Sequence, residues 1–274
     1  MSMKIYFFIL FISTISYSQQ GKILILDKSS KEIIPYASIK FINTTEGTYS
    51  NEKGVFNINS GIDSIEISCL GYQTIKISTN EIQTTTYLTP TTTLLKAVEL
   101  KNQSAFEILD KKKSENYIGL GSFVNNTINL AKRFDFNNTV VLKSVQLDIL
   151  NNQTEKIALL KIYDIDSNHK PLKNILEHHI YYKILPDDKI LSIDLTDYQI
   201  LLKNKSYFIV LELFNLNAKK GDSPLKVGFY KSKKNGYTLL NSSSSINNEW
   251  VSIKIPNKKY EYNLNLYLTV ERIN

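Results

Sequence analysis

The runs Lys22-Ile23-Leu24-Ile25-Leu26, Pro35-Tyr36-Ala37, Gly47-Thr48, Gly54-Val55-Phe56 and Gly71-Tyr72 decide the fold of this chain. Lys22 to Leu26 predicts a strand, closed by the polar turn Asp27 to Glu32. Pro35, which cannot donate to a central ladder, opens a second strand through Ile39-Lys40-Phe41-Ile42. Thr48 to Ser50 and Val55 to Ile58 flank Asn51-Glu52-Lys53-Gly54, a hairpin signal in which Gly54 takes positive φ. Ile62-Asp63-Ser64 turns into Ile65 to Cys69, Gly71 breaks that strand, Tyr72 to Ile77 resumes it, and Tyr87-Leu88 closes the series. Six or seven strands in about seventy residues, spaced by turn signals, predict a β-sandwich.

Upstream, Lys4 and the apolar run Ile5 to Ile12 precede Ser16-Tyr17-Ser18, with small residues at −3 and −1 of a cleavage before Gln19. Residues 1–18 are thus expected to be a signal peptide, too short an apolar run for a bilayer span of about 20 residues. No cysteine stands at the cleavage point for lipid attachment. The expected location is outside the cytoplasm: periplasmic, outer-membrane-associated or secreted. No integral membrane span is expected once the leader is removed.

The 274 residues carry a formal charge of +7, spread over small lysine clusters such as Lys111-Lys112-Lys113 and Lys219-Lys220. Such spacing suits solvated loops, and an exported protein makes nucleic acid a poor partner. Cys69, the one cysteine, can form no internal disulfide and alternates with Ile65 and Ile67, so it is expected to pack as a small hydrophobe.

The order Gly21-Lys22-Ile23, Pro35-Tyr36-Ala37, Gly47-Thr48-Tyr49-Ser50-Asn51, Gly54-Val55-Phe56 and Ser68-Cys69-Leu70-Gly71-Tyr72 resembles the carboxypeptidase regulatory-like domain. That is a transthyretin-like sandwich common in exported proteins of Bacteroidetes. The resemblance covers residues 19–100 and implies a structural or docking accessory. Such a domain often precedes an outer-membrane receptor or a peptidase. The chain after it is too short for a receptor barrel and lacks a peptidase zinc motif.

Residues 101–116 are expected to form a linker with one helix over Ser104 to Ser114. Ser104 and Glu107 make a capping box, and Lys111 to Lys113 suit a helix C-terminus. Residues 117–274 again alternate with period two, as in Val145-Leu147-Ile149, Tyr207-Ile209-Leu211-Leu213 and Leu264-Leu266-Leu268-Val270. About nine strands are legible there, fitting a second, larger β-sandwich that loosely resembles jelly-roll or galactose-binding-like folds. Lys189 to Leu195 and Leu202 to Glu212 look like paired strands of such a sandwich. The fold class is therefore all-β.

Catalytic patterns are missing. His169, His178 and His179 are followed at the third position by Leu172, Tyr181 and Tyr182, so the His–Glu pair of a zinc carboxypeptidase is absent. Gly119-Leu120-Gly121-Ser122-Phe123 lacks the flanking glycine of a nucleophile elbow and sits before a strand. Asp164 with Asp166 and Asp187 with Asp188 read as turns, the former without the glycine and glutamate of a calcium loop. No cofactor or metal site is expected.

Tyrosine is abundant, with 17 copies beside 12 Phe and one Trp. Exposed aromatics can stack on sugars while amides take the hydroxyls. The candidates are Tyr230, Tyr237, Trp250, Tyr260 and Tyr262, with Asn241, Asn247 and Asn248 near them. Against this, sheets favour aromatics in any case. Asp63-Ser64-Ile65 also resembles an O-glycosylation signal, which marks Ser64. The expected function is a non-enzymatic binding or adhesion accessory of the envelope, its partner a glycan or an envelope protein. The rivals are a carboxylate-dependent hydrolase in the second sandwich and a structural scaffold module. Two Asp or Glu facing one cleft would point to the hydrolase, and dispersed carboxylates would point away from it.

Overall fold

A computed structural model describes residues 21–44, 46–58, 61–91, 105–121, 123–124, 126–232, 237–242, 249–253 and 261–273. The expected leader, Ser104, Tyr260, Asn247 and Asn248 lie outside them. The chain divides into two compact units, one up to Pro90 and one from Thr91.

The first unit holds β1 (Lys22–Asp27), β2 (Ser38–Phe41), β3 (Gly47–Tyr49), β4 (Val55–Asn57), β5 (Ser64–Ser68), β6 (Ile75–Ser78) and β7 (Thr85–Leu88). They form a three-stranded sheet in the order β4-β1-β7 and a four-stranded sheet in the order β3-β2-β5-β6. The alternating residues Ile23, Ile25, Ile39, Phe41, Ile65 and Ile67 build its core, with Cys69 and Leu88. Burial pushes the Cys69 thiol up to about 12, so it is an inert core group.

The turn chemistry is as the sequence suggests. Asp27 Oδ1 accepts the amides of Ser29 and Ser30 at 2.6 and 2.8 Å. Asn51 Oδ1 accepts those of Lys53 and Val55 at 2.9 and 3.0 Å. Gly54 has φ +70, and a Cβ there would stand 2.9 Å from the Ile25 carbonyl oxygen, so both conformation and space demand glycine. Buried Ser50 ties down the Pro35-Tyr36-Ala37 corner, accepting the Ala37 amide at 2.9 Å and donating to the Ile34 carbonyl at 3.2 Å.

The second unit begins with β8 (Phe106–Leu109), β9 (Asn116–Gly119), β10 (Ile128–Asp135), β11 (Val140–Asn151) and β12 (Lys156–Ile165). Next come β13 (Pro171–Asn174), β14 (Ile180–Ile184), β15 (Ile190–Asp194), β16 (Ile200–Leu202) and β17 (Ser206–Phe214). It ends with β18 (Lys226–Ser232), β19 (Thr238–Ser242), β20 (Val251–Ser252), β21 (Glu261–Leu264) and β22 (Leu266–Arg272). One sheet runs β13-β12-β17-β10-β19-β20 with β14 beside β12. The other runs β21-β18-β11-β22-β8, with β15 and β16 beside β11 and β9 beside β18. Along β10, Ile128, Leu130, Lys132 and Phe134 are buried on the face toward the second sheet, which the Lys132 side chain reaches.

Two expectations fail here. No helix occupies residues 105–114: Phe106 to Leu109 pair with Leu268 to Glu271 as an edge strand, and Arg272 holds Glu107 at 2.6 Å. Phe106-Glu107-Ile108-Leu109 alternates, and a ladder against a formed sheet satisfies more backbone than a short isolated helix can. Residues 189–195 and 202–212 are not partners either. β15 pairs with β11, whereas β17 lies between β10 and β12 in the other sheet. Local alternation marks a strand but carries no information about its neighbour.

Candidate functional site

The segment Asp110 to Glu115, between β8 and β9, crosses the end of β18 and walls a cleft of about 860 Å³. The opposite wall comes from Arg133, Phe134 and Asp135 at the end of β10, and the floor from Tyr230 and Asn263. Tyr237, just before β19, completes it.

Asp110 has φ 61, a left-handed conformation that Asp tolerates better than most residues. Its carboxylate pairs with Lys132 at 2.9 Å and accepts the Tyr230 hydroxyl at 2.7 Å. Lys132 is wholly buried and also donates to the carbonyls of Leu264 and Leu266 at 2.8 and 2.6 Å, so all three of its N–H donors are used. Burial nevertheless lowers its ammonium to about 8, against the pull of Asp110.

On the other wall, Asp135 accepts Arg133 Nε at 2.8 Å, Ser206 Oγ at 2.5 Å and the Tyr237 hydroxyl at 2.6 Å. Burial works to raise its pKa, but these donors outweigh it and hold the carboxyl below the usual carboxylate range. The same bond to Asp135, with burial, keeps the Tyr237 phenol protonated beyond its ordinary range. Glu115 pairs with Lys231 at 3.3 Å at the rim.

The wall segment is clamped from below. Asn265, 1% exposed, accepts the Lys112 amide at 3.3 Å and donates to the Lys112 carbonyl and to Ser114 Oγ at 2.8 Å each. Ser114 Oγ in turn donates to Asp148. Gly228 in β18 makes room for this crossing, since a Cβ there would lie 2.1 Å from Ser114 Oγ.

The structure therefore brings Tyr230 and Tyr237 to one cleft, with their hydroxyls donated to Asp110 and Asp135. Tyr230 is 8% exposed and presents no open ring face, while one face of Tyr237 lies against the Arg133 guanidinium at 5.4 Å. Trp250 is not in the cleft. It packs edge-on to Tyr163 at 6.4 Å, against Ala131, Phe208, Val210 and Leu239. Tyr262 alternates with Asn263 along β21 and so faces away, its hydroxyl accepting Asn116 Nδ2 at 2.9 Å. Asn241 is buried in β19 opposite Asn129. Ser64 is half-buried at the start of β5, in register with Ser78.

Sequence reading missed Asp110, Lys112, Lys113, Arg133, Asp135 and Asn263. Nothing in the local pattern marks them, although the lysine cluster after β8 was visible. The histidines lie elsewhere, His178 against Tyr198 at 5.3 Å and His179 against Tyr181 at 5.9 Å. Asp164 pairs with Lys205 at 2.5 Å, and Asp166 Oδ1 accepts the amides of Asn168 and Lys170 as a turn. Among the described residues no group of three His, Cys, Asp or Glu could hold a metal ion, and no helix is long and apolar enough to cross a membrane.

Fold and cleft together define an all-β protein with a small sandwich and a larger two-sheet unit that carries a cleft lined by charged and aromatic side chains. Residues 19–100 match the CarboxypepD_reg-like domain, a transthyretin-like β-sandwich family that is non-catalytic. No curated protein matches the chain. Among solved structures, the cysteine protease and lectin-like domains of Cwp84, a surface layer associated protein of Clostridium difficile, are 13% identical with a TM-score of 0.41. That match covers 54% of this chain and 33% of the other. The infectious bursal disease virus VP2 subviral particle is 6% identical with a TM-score of 0.29, covering 92% of this chain and 59% of the other. The chain thus spans a third to three fifths of the length of these structures, and at such scores neither bears on what it binds.

Proposed function

We propose that the chain is a non-enzymatic exported protein of the cell envelope that acts as a binding or adhesion accessory. In this reading the first unit is the support, the second is a jelly-roll-like binding sandwich, and the ligand is a carbohydrate. The observation that carries it is the cleft of about 860 Å³, whose walls offer carboxylates, a guanidinium, a phenol and a buried amide in one concave surface beside Leu109 and Phe134. Hydroxyl-rich ligands need that alternation of donors and acceptors. Asp63-Ser64-Ile65 fits the same exported setting as a position for an O-linked sugar. Mass spectrometry of the protein from its native host should find a modified peptide that becomes unmodified in Ser64→Ala, and an unmodified Ser64 in the native protein removes the idea.

Glycan-array screening followed by titration calorimetry tests the cleft. Tyr237→Ala is expected to weaken the selected glycan on the order of tenfold, about 1.4 kcal/mol, by freeing Arg133 and Asp135 from their present geometry. Trp250→Phe, outside the cleft, is expected to leave affinity unchanged. Silence across the array together with co-purification of an envelope protein would replace the glycan by a protein partner.

One observation favours the hydrolase reading: Asp110, Glu115 and Asp135 do converge on one cleft. Each is occupied by a cation, however, and Asp135 is held below the normal range, the opposite of what a general acid requires. Turnover of a bound glycan that disappears in Asp135→Asn would establish hydrolysis; binding without turnover supports the accessory.

A further inference from the structure

The charges in the cleft do not balance. Asp110 is neutralised by Lys132, Asp135 by Arg133 and Glu115 by Lys231. Lys112 and Lys113 also line the cleft, and among the described residues no carboxylate pairs with either ammonium. Two positive charges are left facing the same space.

These lysines are not loose surface groups by backbone. Asn265, buried beneath them, holds both the amide and the carbonyl of Lys112, and Asp110 two residues earlier is anchored on Lys132. A fixed backbone sets where the two ammonium groups emerge, which lowers the ordering cost of using them. At the floor, Asn263 is 2% exposed, and among the described residues its Oδ1 has no hydrogen-bond partner, an unmet acceptor at the base of a cationic cleft.

Building on the glycan reading above, we propose that the ligand is an acidic saccharide, a uronate-bearing glycan. Its carboxylate is held by Lys112 and Lys113, and a hydroxyl of the same chain is directed toward the acceptors of the floor. Neutral sugars would leave the surplus charge unanswered. A uronate supplies the missing anion and keeps the hydroxyls that the Asp135 and Asn263 side of the cleft can take.

The test is calorimetric, on the full chain, with an oligogalacturonate and its fully methyl-esterified, uncharged counterpart. The acid form is expected to bind on the order of tenfold tighter at low salt, the difference shrinking as salt rises. A Lys112→Gln/Lys113→Gln double variant should bind both forms alike while its melting temperature is unchanged. Lys219→Gln/Lys220→Gln, which removes the same charge outside the cleft, should keep the preference. Equal binding of acid and ester by the unmodified chain overturns the proposal and leaves the glycan reading standing. So does a preference lost equally in both double variants, since that is the effect of bulk charge. Failure of every saccharide, charged or neutral, refutes the glycan reading itself.

Discussion

Lys132→Ala is expected to destabilise the second unit by about 3 kcal/mol, chiefly from the cavity and the orphaned carbonyls, since Asp110 is partly exposed and can be solvated. The variant leaves the carbonyls of Leu264 and Leu266 facing an apolar gap and strips Asp110 of its cation. It also opens a cavity beside Phe134 and Tyr230, both of which lie against the ammonium at 5.3 and 5.0 Å. Lys132→Met keeps the stem and should cost less than alanine while still losing the three polar contacts. Urea unfolding followed at Trp250, which lies in this unit, reads both.

The same lysine gives a pH signature. The unfolded chain holds its proton to about 10.5, whereas the folded protein releases it near 8. Between those values the unfolded state binds more protons, so stability rises with pH, by about 1 kcal/mol from pH 7.5 to 9. The rise ends near pH 10, where tyrosines of the unfolded chain ionise but Tyr230, kept protonated by burial and by Asp110, does not follow. Lys132→Met should lack the rise between pH 7.5 and 9. An equal rise in the variant would show that Lys132 is not its source.

Gly228→Ala is the second large effect, an expected loss of about 2 to 3 kcal/mol from overpacking. The new Cβ would meet Ser114 Oγ at 2.1 Å, Asp148 Cβ at 2.9 Å and Ser114 Cβ at 3.0 Å. A rotamer change moves only the first of these atoms. The segment Asp110 to Glu115 must therefore lift from β18, breaking the Asn265 clamp that positions Lys112. Ligand affinity should fall with stability, because one wall of the cleft is displaced. In a Ser114→Gly background the added alanine should cost less, since two of the three close contacts are gone. Identical costs in both backgrounds would place the strain elsewhere.

Residues 21–91 were legible because their signals are local. A glycine that must take positive φ at Gly54, an Asn51 side chain that caps its own turn, and period-two alternation in β1 and β5 each act within a few residues. The cleft was half legible. Tyr230 and Tyr237 stand out as aromatics, while Asp110 and Asp135, which take their hydroxyls, carry no local signal. Asp110 is 120 residues from Tyr230 in the chain, and no spacing rule connects them. Lys111 to Lys113 suit a helix end by local pattern, but Lys111 meets Tyr267 and Lys112 meets Asn265, about 150 residues on.

By itself the sequence determined an all-β chain, the seven-stranded first unit and the core position of Cys69, because strand, turn and burial preferences are written in residues a few positions apart. Only the tertiary structure decided that residues 106–109 are a strand, that Lys132 is buried, and that a clamped segment turns Lys112 and Lys113 into a cleft wall. The reason is physical. Pairing a strand with β22, desolvating an ammonium against Asp110 and closing a clamp on Asn265 are each settled by a distant partner, and that partner outweighs the local preference of the residues it meets.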